Sequence, residues 1–417
     1  MRVTRQQAIV VFLAFAFAYF FSALLRAVTA TLAPVFSVEL GLRAGDLGLL
    51  AGAYFFGFAA LQLPLGRALD RYGPRRTLLM LLAVAVLGCA AFAVATRLPG
   101  LIAARVLIGA GVAACLMAPL TCYRRLYTPA TQLRANSWML MTGSLGMVAS
   151  TVPVQLLLPT LGWRGLFWAV AALLALAMVG VAWLVPADPR PRPMDAAAAA
   201  GVPGGGGASP DGYRSIVRHP LFLRTAPLGF FLYGGLIAVQ SLWAGPWLTR
   251  VGGSSAEQAA QGLLLINLAM LFTFMAWGAV MPRLMHRGIG AVQLMAWGLP
   301  LPLLLLFGNV MLGGAAGAVH WALWCVACSF VSVSQPAVGA AFPAALAGRA
   351  LSAYNLVIFA GVFCIQWGIG LLIDGLRALG LTEADAFRLA FTAFGLCCVM
   401  AYIWFLRAGR SGADNPA

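Results

Sequence analysis

The chain has 417 residues, of which 62% are hydrophobic and only 9% charged, with a mean hydropathy of +0.92. A soluble domain is roughly 45–50% apolar and 25% charged, so the composition excludes one and implies a chain solvated by lipid. The net charge of +16 comes from arginine alone, because the sequence contains no lysine, and the cations punctuate apolar runs instead of gathering on one soluble face. That pattern excludes a nucleic-acid binder.

The opening Met-Arg-Val-Thr-Arg is a brief positive start. The apolar run behind it is too long for a signal-peptide core and lacks a cleavage site, so it reads as a first membrane helix. A bilayer core of about 30 Å needs about 20 apolar helical residues. The runs that meet this are Ala8–Val35, Leu47–Leu65, Thr77–Ala95, Pro99–Thr121, Ser137–Leu158 and Leu166–Pro186. After an interruption come Leu221–Leu248, Gln261–Met281, Ile289–Val310, Ala315–Phe342, Leu351–Leu372 and Ala386–Leu406. The expected fold is an all-α membrane protein with twelve transmembrane helices in two pseudo-symmetric six-helix bundles, residues 1–186 and 220–417.

Residues 187–219 join the bundles. Asp188-Pro-Arg-Pro-Arg-Pro, a run of alanines and Gly204–Gly207 cannot bury a core, so this segment reads as a flexible linker. Near its end Arg214 and Arg218 stand beside Ile216 and Val217, a pattern that fits either a short interfacial helix over Tyr213–His219 or plain linker. The cysteines Cys89, Cys115, Cys122, Cys325, Cys328, Cys364, Cys397 and Cys398 lie within or beside apolar runs and read as small packing residues, the Cys325-x-x-Cys328 pair included.

The most specific local pattern is Gly66-Arg-Ala-Leu-Asp70-Arg71-Tyr-Gly73-Pro-Arg75-Arg76, a cationic turn with one carboxylate between two apolar runs. It resembles the signature loop between helices 2 and 3 of the major facilitator superfamily, in which Gly66, Asp70, Arg71, Gly73, Arg75 and Arg76 all fit the pattern. Its glycines suit close approach of helix ends. Its arginines suit cytosolic water beside anionic lipid. Gly278-Ala-Val-Met-Pro-Arg283 repeats the spacing in the second half with Pro282 in place of the carboxylate, and Gly348-Arg349-Ala350 echoes Arg134-Ala135. Such parallel repeats are expected of transporters with this architecture.

The resemblance implies a twelve-helix secondary carrier working by alternating access. It also implies that Asp70 makes a gating latch with basic groups near helices 4 and 11, for which Arg124, Arg125, Arg134 and Arg349 are available. With the amino terminus inside, only Arg43, Arg97, Arg164, Arg250, Arg377 and Arg388 fall in outer segments, which places both termini in the cytosol. The lysine-free, arginine- and alanine-rich usage suggests a bacterial inner membrane.

Arg26 and Arg105 are the arginines inside apolar spans. A charge at mid-bilayer costs at least about 2.5–3.5 kcal/mol, so each should face a water-filled cavity or a partner. Helical rise places them roughly 13 Å and 9 Å deep, within reach of a shared chamber. For Arg26 the alternative is a salt bridge to Glu39 or Asp46. Leu101-x-x-x-Arg105-x-x-x-Gly109-x-Gly111 also resembles the family's fourth-helix motif, whose arginine the resemblance associates with proton coupling. The alternative for Arg105 is a tie to a neighbouring carbonyl or polar side chain. His320 is the histidine found within a span and is the other coupling candidate.

No Asp or Glu lies mid-span, so the cavity should be electropositive and the solute a small organic anion, held by planar guanidinium forks. Proton-coupled uptake is the expected mode; proton-coupled efflux of cationic drugs or metabolites is the competing reading, and a non-transporting membrane sensor of the same fold is a further alternative. Gly143, Gly146 and Pro153 only partly match an antiporter motif, and Pro153 is expected to bend the fifth span. Gly245-Pro246 is expected to break the seventh. Polar or aromatic candidates within the spans are Tyr19, Tyr54, Gln62, Tyr233, Gln240, Trp243, Asn267, Gln335, Asn355 and Gln366; by the resemblance, helices 1, 4, 7 and 10 line the cavity, which favours Tyr19, Tyr233, Gln240, Trp243 and Gln335 as solute contacts. No nucleotide loop, metal cluster or nucleophile-base constellation is present, so neither an enzyme nor a cofactor is expected, and a monomer among membrane lipid is.

Overall fold

The computed structural model describes residues 4–186 and 210–410, and among these there is no β-strand. The membrane helices are α1 (Arg5–Glu39), α2 (Ala44–Ala60 and Gln62–Tyr72), α3 (Pro74–Val94), α4 (Leu98–Val112 and Ala114–Leu126), α5 (Pro129–Ala149, continued by 152–161) and α6 (163–184, after a reversal at Gly162). The second half holds α7 (Pro220–Val251), α8 (Ala256–His286), α9 (Ala291–Ala315), α10 (Ala318–Ala340), α11 (Ala344–Ala378) and α12 (Glu383–Arg410). Ten of these helices pass as membrane spans on length and apolarity, and the two parts of α2, bent by 41°, supply an eleventh. The twelfth is α5, whose Thr131, Gln132, Arg134, Asn136, Ser137, Thr142 and Ser144 dilute its apolar character.

Local chemistry sets the helix ends. Thr4 and Gln7 form a capping box at the start of α1. Gly73, at φ 81°, ends α2 and leads into Pro74, the first residue of α3. The fifth span is interrupted at Thr151, two residues before Pro153, so the disruption expected of this proline is present, as a break that leaves Pro153 in the first turn of the following segment. The turn into α6 is at Gly162, φ 61°, where Trp163 and Arg164 clamp Glu39 at the end of α1.

The break expected at Gly245-Pro246 is absent. α7 runs on through three π-helical turns, Gly229–Tyr233, Val239–Trp243 and Trp247–Val251. Gly245 instead admits α1, since a Cβ there would sit 2.6 Å from the Ala30 carbonyl oxygen. Before α7, residues Pro210–Arg218 form a short helix whose Ile216 is fully buried with Phe222, Ala350 and Tyr354, which ties it to α7 and α11.

Each half buries an aromatic core. In the second half Trp247 meets Phe391 at 5.0 Å and Trp321 at 5.1 Å between ring centroids. The halves touch most closely at the end of the bundle opposite the Gly66–Arg76 loop, here the far end. There Gly48 of α2 faces the Gln366 carbonyl of α11, and Gly370 of α11 faces the Ala44 carbonyl. Packing between membrane helices relies on small residues that let backbones approach, and this seam has them on both sides.

Candidate solute-binding site

A cavity of about 780 Å³ lies between the halves. α1 contributes Tyr19, Ser22 and Arg26, α2 contributes Phe58 and Gln62, and α5 a face from Ser137 to Met147. From the other half come Tyr233 and Gln240 of α7, Met270 to Gly278 of α8, Gln335 of α10, and Asn355 and Phe359 of α11. The lining reaches Gln62, Ser137 and Gly278 toward the loop end, where Leu140, Phe274 and Met275 are exposed.

Arg26 is the one charged side chain among the described lining residues. Its guanidinium lies over the Phe58 ring, 5.8 Å from the centroid, and interacts electrostatically with Tyr19, Tyr54 and Tyr233. Its Nε is shielded from solvent with no hydrogen-bond partner. The acids that offered an alternative role are taken, for Glu39 accepts from Arg164 at 2.6 Å and from Trp163 at 2.8 Å, and Asp46 pairs with Arg43 at 3.9 Å.

Arg105 does not share this chamber. It is only 1% exposed, and donates to the Leu25 carbonyl at 3.0 Å, to the Leu50 carbonyl at 3.5 Å and to the Thr29 hydroxyl, while its guanidinium lies 5.3 Å from the Tyr54 ring centroid. Backbone acceptors on α1 and α2 satisfy it inside the first half, which is why it turns away from the solute path. One turn on, Gly109 faces the Tyr54 carbonyl so closely that no Cβ fits. The fourth-helix motif here builds a junction of α1, α2 and α4.

The other expected contacts divide. Tyr19, Tyr233, Gln240 and Gln335 line the cavity. Trp243 does not: fully buried, it donates from Nε1 to the Gln366 carbonyl at 3.2 Å and borders a separate recess of about 550 Å³ at the far end. His320 also lies away from the cavity lining, with Nδ1 buried and unbonded. Of the other polar candidates, Gln62 and Asn355 line the cavity while Tyr54, Asn267 and Gln366 do not, and the five methionines of the wall were not foreseen. Asn267 bonds Gln240 at 2.9 Å, a pairing that no spacing along one helix reveals.

The far end is shut by a contact that crosses the halves. The Asp374 carboxylate of α11 accepts from the backbone N–H of Ala44 at 3.2 Å and of Gly45 at 2.8 Å, at the amino terminus of α2. A carboxylate there satisfies orphan donors and meets the positive end of the helix dipole.

At the loop end Arg75 donates to the Ala182 carbonyl of α6, and Thr77 to the Ala68 carbonyl at 3.0 Å. Arg71 lies over Tyr72, 5.3 Å from the ring centroid, and Arg76 is exposed. A Cβ at Gly66 would meet open space, so this glycine is not needed for helix contact, whereas the positive φ of Gly73 is required. Arg124 and Arg134 are exposed and Arg349 is half-buried, while the side chains of Asp70 and Arg125 lie outside the described residues.

The family model described as Major Facilitator Superfamily matches residues 15–365. The chain belongs to the major facilitator superfamily. Its structure superposes on a bacterial homolog of the human lysosomal transporter Spinster, inward-facing and unoccupied, with a TM-score of 0.74, 17% identity and 100% of both chains covered. A D-xylose-proton symporter gives 0.73 at 17% identity, covering 95% of this chain and 96% of the other. These likenesses show a shared transporter fold. A chloramphenicol resistance protein of Streptomyces lividans is 35% identical over 161 residues, which span 38% of this chain and 40% of that relative's length.

Proposed function

We propose that this major facilitator transporter carries a small organic anion through the central cavity by alternating access, with Arg26 as the charged ligand. The supporting observation is the Arg26 guanidinium in a cavity with no acidic side chain among its described lining residues. A buried cation without a counter-ion is costly, and a solute carboxylate or phosphate relieves that cost through charge-assisted hydrogen bonds. The arginine asymmetry puts the loop end in the cytosol of a bacterial inner membrane, so the closed far end corresponds to an inward-facing state.

In this reading Asp374 belongs to the outer gate, and Asp70 with Arg124, Arg125, Arg134 or Arg349 to the inner one. Tyr19, Tyr233, Gln240 and Gln335 contact the solute, and a single copy suffices because the cavity lies within one chain.

The test is flux into proteoliposomes of purified protein, screened with radiolabelled mono- and dicarboxylates and sugar acids, for wild type, Arg26→Gln and Arg26→Lys. Loss of flux in the glutamine variant with partial retention in the lysine variant is the expected result. Undiminished flux in Arg26→Gln removes the basis of the anion assignment. Efflux is the second reading, favoured by the likeness to the chloramphenicol resistance protein. Cells expressing the chain would then survive chloramphenicol concentrations that kill cells expressing a transport-dead variant.

A further inference from the structure

The cavity around Arg26 constrains the shape of its occupant as well as its sign. Building on the anion reading, we infer that the solute is an amphipathic monoanion, with one charged head for Arg26 and a hydrophobic body that lies against a methionine and phenylalanine wall. Three observations carry this. Arg26 supplies the single charge among the described lining residues, so a second anionic group would enter the chamber without a partner.

The amides on the opposite half are partly paired with one another. Gln240 donates to Asn267 at 2.9 Å, Asn267 donates to the Leu263 carbonyl at 2.9 Å, and Gln335 donates to Asn355. A polyhydroxylated solute would find only the remaining valences of these few amides, too few to replace the water bonds of many hydroxyls.

The third observation is the wall itself. Met117, Met141 and Met147 of the first half share the cavity with Met270, Phe274 and Met275 of the second. Unbranched, polarisable thioethers fill gaps around apolar bodies of varied outline and suit a site that accepts a range of them. A volume of about 780 Å³ is of the size that encloses a drug-sized molecule.

Arylsulfonates test this, because they stay charged and do not cross the bilayer as neutral acids. The full-length protein in nanodiscs, with empty nanodiscs subtracted, is titrated with benzenesulfonate, 4-butylbenzenesulfonate, benzene-1,3-disulfonate and the neutral 4-butylbenzenesulfonamide. Each buried methylene should tighten binding by up to about four-fold, so the butyl compound should far outbind its parent. The disulfonate should bind at least about ten-fold more weakly than benzenesulfonate, since its second charge finds no partner. A Met141→Gln, Met275→Gln double variant should lose most of the butyl advantage, bringing the ratio of the butyl and parent affinities close to one.

Equal affinity for the parent and butyl compounds, or tighter binding of the disulfonate, overturns the amphipathic inference. The anion reading then still stands if Arg26→Gln abolishes sulfonate binding. Binding of the sulfonamide as tight as that of the butyl sulfonate, unchanged in Arg26→Gln, overturns the anion reading itself. Absence of saturable binding by all four compounds overturns the inference as well. Should the double variant fail to insert, the four-ligand comparison on wild type decides alone.

Discussion

Arg26 and Arg105 occupy apolar stretches of two helices in the same half, yet their surroundings are opposite. Around Arg105 the backbone of α1 and α2 offers acceptors at Leu25 and Leu50, Thr29 adds a hydroxyl and Tyr54 a ring face, so the guanidinium is spent on holding three helices together. Around Arg26 there are the Phe58 face, the hydroxyls of Tyr19 and Tyr54, which hydrogen-bond it, and a cavity, and its Nε stays unbonded. The lesson concerns buried charge in a membrane. Whether it serves structure or a solute depends on whether neighbouring backbone can saturate it, and on little else that the residue type itself supplies.

The comparison breaks most visibly at Arg105. Replacing it with leucine strands two carbonyls and a hydroxyl at a junction where Gly109 already leaves no spare volume. Each bond to a charged group is worth about 1.5–3 kcal/mol, so a loss of about 3 kcal/mol or more is expected. It would be read as a collapse in monodisperse yield and melting temperature in detergent. A variant that melts like wild type would show that the junction does not depend on the arginine.

Arg26→Gln should do the reverse. Relieving an uncompensated charge leaves melting unchanged or slightly raised, while anion flux falls by about ten- to a hundred-fold, the worth of one charge-assisted contact. Equal damage to fold and flux by both substitutions would erase the distinction between the two arginines.

Much of this was legible in the sequence, and the part that was not has a common cause. Apolar run length fixes where helices lie, and Gly73 with Pro74 marks a turn whatever the tertiary context, so the twelve-helix plan could be read directly. Only α5 escapes the apolarity criterion, through the polar side chains of its loop-end half. The orientation of a side chain around its helix is harder to foresee. Arg26 and Arg105 have similar apolar flanks, and what separates them is the position of Leu25, Thr29 and Leu50 relative to each, a matter of how helices pack. Trp243 went astray in the same way: it lies on the expected helix, α7, but points into the seam with Gln366. The pairing of Asp374 with the start of α2 joins residues 329 and 330 positions apart, which no local pattern encodes.

That seam extends the contrast between saturated and open charge to the gates. Asp374 is saturated in the far-end-closed state by two backbone donors, and opening that end must leave it to water. Asp374→Asn removes the charge and weakens both bonds. A carboxylate at a helix amino terminus is worth about 0.3–1 kcal/mol, so the ratio of closed to open forms should fall by up to about five-fold. Thiol labelling of a cysteine introduced at Ser37, which borders the far-end recess, should speed up by a similar factor. Unaltered labelling would show that apolar packing alone holds this end shut. Gly45→Val should act in the same direction more strongly, because its Cβ would stand 2.7 Å from the Asp374 carboxylate.

His320 provides the smallest expected effect. Its helix is part of the second half, but the ring lies away from the described cavity lining and from Arg26, and Asn309 donates to its backbone carbonyl at 3.4 Å and not to the ring. Substituting glutamine keeps a polar group of similar reach while removing the imidazole. If Arg26 alone carries charge recognition, the rate of anion flux against pH should be superimposable for wild type and His320→Gln. A displaced pH profile with unchanged melting would instead join His320 to the transport cycle, and the open, unsaturated region of the molecule would then extend well beyond the cavity that holds Arg26.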